Sequence, residues 1–188
     1  VYGLSASEAR MMRVCNSIAR DHAYHPVRDY LHRVGKEWDG NPRIGCFLED
    51  CFGADAGGDT ATADDPRRVI RSISRCFFIS AVSRAMQPGC KVDTVLVLVS
   101  PAQGTHKSQG LEALCPNPGW FSDSALDIGD KDALAQIHAA VWIYEIGEMD
   151  SLRKKEMSKV KAFISSRKDK YRPHYGRCVV EHGRQLVF

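Results

Sequence analysis

The stretch Val95–Leu114, VLVLVSPAQGTHKSQGLEAL, decides how this chain is read. Five alternating valines and leucines suit a central parallel strand buried on both faces. A turn follows, then Lys107-Ser108 and a run of helix formers from Ser108 to Leu114. Strand, loop, Lys-Ser and helix is the layout of a phosphate-binding loop, G-x-x-x-x-G-K-[ST]. Pro101 and His106 stand where that pattern has its two glycines.

Such a loop works because consecutive backbone N–H groups point inward at an anion, and glycines permit the left-handed turns this requires. The lysine reaches the β and γ phosphates, and the hydroxyl ligates magnesium. Lys107, Ser108 and Gly104 are retained. Pro101 lacks an N–H, but the first loop position need not donate. His106 is the heavier change, because a bulky residue held at positive φ costs about 1–3 kcal/mol. From the loop alone, a nucleotide site and an ordinary strand-turn-helix both stand.

A magnesium-nucleotide site also needs a carboxylate at the end of a neighbouring strand. VWIYEIGEMD (141–150) supplies Glu145, Glu148 and Asp150 after an apolar run. Glu145 and Glu148 are three apart, so on an extended strand they face opposite sides. Glu148, at the strand exit, is the expected catalytic and metal-orienting acid.

Around this centre the chain divides in two: a helical N-terminal region over 1–90, and an alternation of strands and helices over 91–188. Helices are expected over 5–21 with Ser5 or Ser7 as N-cap, from Pro26 with Val27, Tyr30, Leu31 and Val34 on one face, and over 44–52 after the turn cluster WDGNPR (38–43). Residues 53–65 read as a loop. From Pro66 runs a long amphipathic helix with Val69, Ile73, Phe77 (or Cys76), Ser80 and Ala81 on its apolar stripe and Arg67, Arg71, Arg75 and Arg84 elsewhere. Residues 129–140 and 151–166 read as further helices, and 171–188 as a hairpin followed by another strand.

Composition is that of a globular chain, with 44% hydrophobic and 26% charged residues. Its seven cysteines form no C-x-x-C, so reduced, mostly buried thiols in a cytoplasmic protein are expected, without zinc. No apolar run approaches membrane-spanning length and no signal-peptide pattern opens the chain. The start at Val1 and the end in RQLVF lead to the expectation of a segment of a longer protein, with its core truncated at the C-terminus. Charge is unevenly spread. Residues 91–152 carry 3 Lys/Arg against 9 Asp/Glu, whereas 153–188 carry 11 against 3. An acidic middle beside a basic block suits a metal-nucleotide site next to a polyanion-binding surface.

In order along the chain, HPVRDYL, WDGNPR, PGCKVDTVLVL, QGTHKS, WFSD, GDKDAL, WIYEIGEMDSLRKKEMSKVKAFIS and DKYRPHYGR with RQLVF resemble the virulence-associated protein E family. The resemblance runs from about residue 25 to 188. It implies the helicase part of a phage or mobile-element primase-helicase, with a superfamily 3-like, AAA+-like P-loop NTPase core of α/β class. It implies ATP and Mg2+ as ligands, with Gln103, Gly104, Thr105, His106, Lys107, Ser108 and Gln109 forming the nucleotide loop. Ser108 and Glu148 would serve the metal, and Glu145 with Glu148 would be catalytic. It further implies that the basic segment engages single-stranded or forked DNA through Lys168, Lys170, Arg172, Tyr175 and Arg177, cations mixed with an aromatic face. A homo-oligomeric ring in the full-length protein follows, since such motors complete their sites with a neighbour's arginine. Departures are Pro101, His106, and Gln109 for the usual threonine; the sensor asparagine would lie beyond RQLVF. The alternatives are a non-catalytic DNA-binding or scaffold protein with a degenerate nucleotide site, and a small-molecule kinase using the same loop.

Overall fold

The computed structural model describes residues 7–22, 24–55, 66–102, 104–124, 134, 137, 138, 140–147, 154–172 and 179–188. Helix α1 (Glu8–Asp21) begins at Ser7, whose carbonyl accepts from the Arg10 and Met11 amides. Helix α2 (Pro26–Lys36) starts at a proline, which suits a first helical position. It is capped by His25, whose Nδ1 accepts from the Arg28 amide. Helix α3 (Phe47–Phe52) follows the 38–43 turn, which an Asp39–Arg43 ion pair and Asn41 hold in shape. Helix α4 (Pro66–Met86) is the longest element, and α5 (Lys107–Glu112) follows the loop. One 3-10 turn (Pro118–Trp120) leads into strand β1 (Phe121–Ser122), and β2 (Ile143–Tyr144) comes next. Helix α6 (Lys154–Ser165) and the hairpin of β3 (Lys168–Tyr171) with β4 (Val180–Gly183) complete the chain.

The class is mixed α/β with small sheets. β1 and β2 are parallel, with Phe121 opposite Ile143, and Val187 makes a parallel bridge on the other side of Ile143. The amide of Glu145 donates to the Ser122 carbonyl at 2.8 Å, and that of Tyr144 to Val187 at 2.9 Å. Across this ladder pack Trp120, Trp142 and Ile143 with Val27, Phe77, Ala81 and Ala85, so the helices and the sheet share one core. Tyr30, Trp120 and Trp142 meet there with centroids 5.6–6.4 Å apart, Trp142 edge to face with both of the others and Tyr30 tilted on Trp120.

Three expectations are corrected. Val95–Val99 forms no strand and has no ladder partner among the described residues, and Val97 and Val99 are 64% and 88% exposed. A β-branched apolar run fits a pleated surface; it does not by itself supply the neighbour that buries both faces. The stripe of α4 is Ile70, Ser74, Phe77, Ala81, Arg84 and Ala85, one residue out of phase with the sequence reading over its first half. That phase is set by the 44–52 segment: Ser74 donates to the Ile44 carbonyl and Arg71 pairs with Glu49 at 2.8 Å. Val69 and Ile73 are left to line an apolar groove of about 660 Å³ beside Val95 and Val97. The thiols are not mostly buried either. Cys115 alone of the six described is buried, and burial pushes its pKa up to about 11. The helix expected over 129–140 lies mostly outside the described residues, although His138 donates its amide to Leu134 at 3.2 Å.

The hairpin root holds a buried charge cluster. Arg184, fully buried, donates to both carboxylate oxygens of Asp169 and to the Phe163 and Ile164 carbonyls, with its guanidinium 4.4 Å from the Phe163 ring centroid. His138 reaches the same carboxylate at 3.0 Å and stacks on Tyr171. Gly183 is required here, because a Cβ would come 2.8 Å from the Pro88 carbonyl carbon.

Burial alone would raise the Asp169 pKa, but hydrogen bonds from His138 and Arg184 outweigh it and hold the value below that of an ordinary aspartate. The stabilisation is therefore complete above about pH 3.9, the unfolded value, and is lost as pH falls through the folded one. Asp169→Asn leaves Arg184 buried without its counter-charge and is expected to cost about 3–5 kcal/mol in urea unfolding at pH 7. The parent's loss of stability in acid should be correspondingly steeper than the variant's.

Candidate nucleotide site

The loop between Val95–Val99 and α5 has the backbone that its sequence resists. Gly104 has φ 75°, and His106 has φ 56° and ψ 25°, the left-handed conformation that glycine normally supplies. The first helical residue is Lys107, whose Nζ donates to Thr105 Oγ1 at 3.0 Å. His106 Nδ1 lies 2.7 Å from Gln109 Oε1. Gln103 falls outside the described residues.

One contact joins the loop to the sheet. Ser108 Oγ donates to Glu145 Oε1 at 2.8 Å, across 37 residues of sequence. Glu145 lies just past β2, with its amide tied to Ser122, so the sheet fixes the carboxylate's origin. Its other oxygen, Oε2, is buried and has no hydrogen-bond partner among the described residues. A buried carboxylate oxygen is costly unless something satisfies it. Lys107, Ser100, Glu145 and Gly147 border a cavity of about 320 Å³ whose apolar wall is Val95–Val99, Leu111 and Phe188. An oxygen-donor pair beside a lysine suits a hydrated Mg2+ with a polyphosphate, since Mg2+ takes few protein ligands and keeps several waters.

The sequence reading preferred Glu148 as the metal-orienting acid. Glu148 lies outside the described residues, and it is Glu145 that the fold brings to Ser108. The 37-residue separation is why spacing alone did not reveal the pair.

Of the candidate DNA-binding residues, Tyr175 and Arg177 are outside the described residues, and Arg172 is exposed just past β3. Lys168 and Lys170 share the outer face of the hairpin, and both pair with Glu181, Lys170 at 3.1 Å. The Lys168 hydrogen bond, then that of Lys170, holds the Glu181 carboxyl below the usual range. Asp169 between them turns inward to Arg184.

The virulence-associated protein E-like domain model matches residues 31–188. The chain belongs to this family. Membership in the virulence-associated protein E-like family supports a phage or mobile-element context, and it leaves α1 outside the matched region. No curated protein matches the chain. No helix among the described residues is long and apolar enough to cross a membrane.

Helix α5 is seated by Gly110, where a Cβ would come 2.7 Å from two atoms of the Phe52 ring. Gly110→Ala should therefore push α5 from α3 and cost about 1–3 kcal/mol by thermal or urea unfolding. If the variant melts with the parent, the close seating of the loop helix is wrong.

Proposed function

We propose that this chain is the nucleotide-binding segment of a phage or mobile-element replication protein, an ATP-hydrolysing, DNA helicase-like module of P-loop, AAA+-like type. The observation that carries the reading is the Ser108–Glu145 hydrogen bond together with the unpartnered Glu145 Oε2. A magnesium-nucleotide site calls for a lysine-serine loop and a strand-end carboxylate, and the contact between Ser108 and Glu145 supports that reading.

In this reading Lys107 neutralises the β and γ phosphates, and the loop of 103–109 wraps them. Ser108 and Glu145 hold the hydrated Mg2+, with Glu148 the further acid expected at the strand exit. The metal, when bound, offsets charge on the phosphate oxygens. Glu145 and Glu148 orient the attacking water and accept its proton. The left-handed His106 lowers the stability of the loop without removing its N–H groups, since only Pro101 lacks one. The hairpin's basic face engages single-stranded or forked DNA through Lys168, Lys170 and Arg172, with Tyr175 and Arg177 beyond them. A homo-oligomeric ring belongs to the full-length protein.

A scaffold with a degenerate nucleotide site is the second reading, favoured by the strain at His106. Calorimetric titration with ATP and Mg2+ separates the two. The parent should bind, and Lys107→Ala should weaken binding about 10-fold to 100-fold, the range for a hydrogen bond to a charged group. Glu145→Gln should retain binding and lose DNA-stimulated hydrolysis. Absence of ATP binding in the parent, alongside single-strand affinity that survives Lys107→Ala, would establish the scaffold. In either case DNA affinity should fall with salt by about 0.7 log unit per log salt for each phosphate contact.

A further inference from the structure

Two residues of the loop that replace the usual glycine and threonine, His106 and Gln109, touch each other. The imidazole Nδ1 lies 2.7 Å from the Gln109 amide oxygen. An amide oxygen only accepts, so Nδ1 carries the proton and donates. His106 is the left-handed residue that immediately precedes α5, and Gln109 lies in the first turn of that helix. The ring is therefore tied to the first turn of α5, while Thr105 accepts from the Lys107 ammonium at 3.0 Å.

This arrangement answers the problem posed by φ 56° at a bulky residue. A left-handed L-residue has its Cβ crowded by the following carbonyl, so its side chain has few comfortable directions. The Gln109 anchor selects one of them. Threonine is too short to reach the ring as Gln109 does, which gives the paired replacement a physical logic: the long amide accompanies the imidazole.

We propose that Gln109 is a positioning residue for the phosphate loop: its amide oxygen fastens the His106 ring against α5 and keeps the loop open to the polyphosphate of a nucleoside triphosphate. This rests on the nucleotide reading above. Gln109 acts through His106 and has no need to touch the ligand. Its effect must vanish when His106 is absent.

A double-mutant cycle on the whole chain reads that dependence. ATP affinity in the presence of Mg2+ is measured by calorimetry for the parent, Gln109→Ala, His106→Gly and the double variant, with melting temperatures recorded for all four. Gln109→Ala should weaken ATP binding about five-fold in the parent, the worth of one ordinary hydrogen bond, and less than about two-fold beside His106→Gly. The melting temperatures should not reproduce this coupling. Equal weakening in both backgrounds, or weakening in neither, overturns the proposal. Nitrogen NMR of the imidazole supplies a ligand-free arm. The parent should hold His106 in the Nδ1–H tautomer and Gln109→Ala should release it; an unchanged tautomer overturns the anchor. Should no variant bind ATP while the tautomer shifts as expected, the anchor stands and the nucleotide reading fails.

Discussion

The C-terminal half of α4 is the part on which the other elements are hung. Ala81 and Ala85 are 2% and 0% exposed, and their small side chains let other elements come against the helix backbone. The Trp142 indole donates to the Ala81 carbonyl at 3.0 Å, and Arg28 of α2 donates to the Ala85 carbonyl at 3.1 Å. Arg84, one residue before Ala85, reaches the carbonyls of Arg184 and Ser166 at 3.4 Å. Burial depresses its pKa, and its Nε has no partner among the described residues, so this clasp costs part of what it contributes. Each bond is worth about 1 kcal/mol net, and what matters more is where they act. Trp142 enters β2, and Glu145 lies three residues further on. The clasp on α4 therefore sets the carboxylate that meets Ser108.

Much of the helical scaffold was legible because its signals are local. Pro26 and Pro66 open their helices and WDGNPR closes on itself through Asp39, whereas the hairpin expected over 171–188 has its first strand earlier, at Lys168–Tyr171. The buried ionic groups were not legible. Arg84 was placed off the apolar stripe and nothing in the sequence marked Asp169 or Arg184 as buried, since charged side chains are rarely buried unless paired, and their partners come from distant segments. The α4 stripe failed for a related reason. Val69 and Ile73 are as apolar as Ile70, so only the 44–52 segment packed against the helix could decide the phase. Val95–Val99 shows the same limit in a strand: residue type described the segment's preferred surface but could not supply its neighbour.

The acidic pair marks the boundary within the candidate site. Spacing puts Glu145 and Glu148 on opposite sides of an extended chain, and sequence offered no ground for knowing which side faced the loop. Strand exit was a proxy for proximity to the metal. The observed ladder replaces the proxy: Glu145 hangs directly from β1 through Ser122, and Ser108 approaches from α5. The ladder ends after Tyr144, earlier than the apolar run suggested, and Glu145 follows it directly.

The loop itself separates two things that a motif conflates. A glycine in a phosphate-loop pattern records a backbone need, and the usual inference is that replacing it destroys the shape. Here His106 occupies the left-handed region regardless, with α5 starting immediately after it and Gly110 locking that helix against Phe52. The surrounding packing therefore dictates the turn, and the side chain accommodates it. A substitution of this kind raises the energy of the loop by about 1–3 kcal/mol without changing its geometry. Whether that energy falls on the loop or is returned through the ring's own contacts depends on what the imidazole can reach. The nearest such group is Gln109, the next departure along the same helix turn.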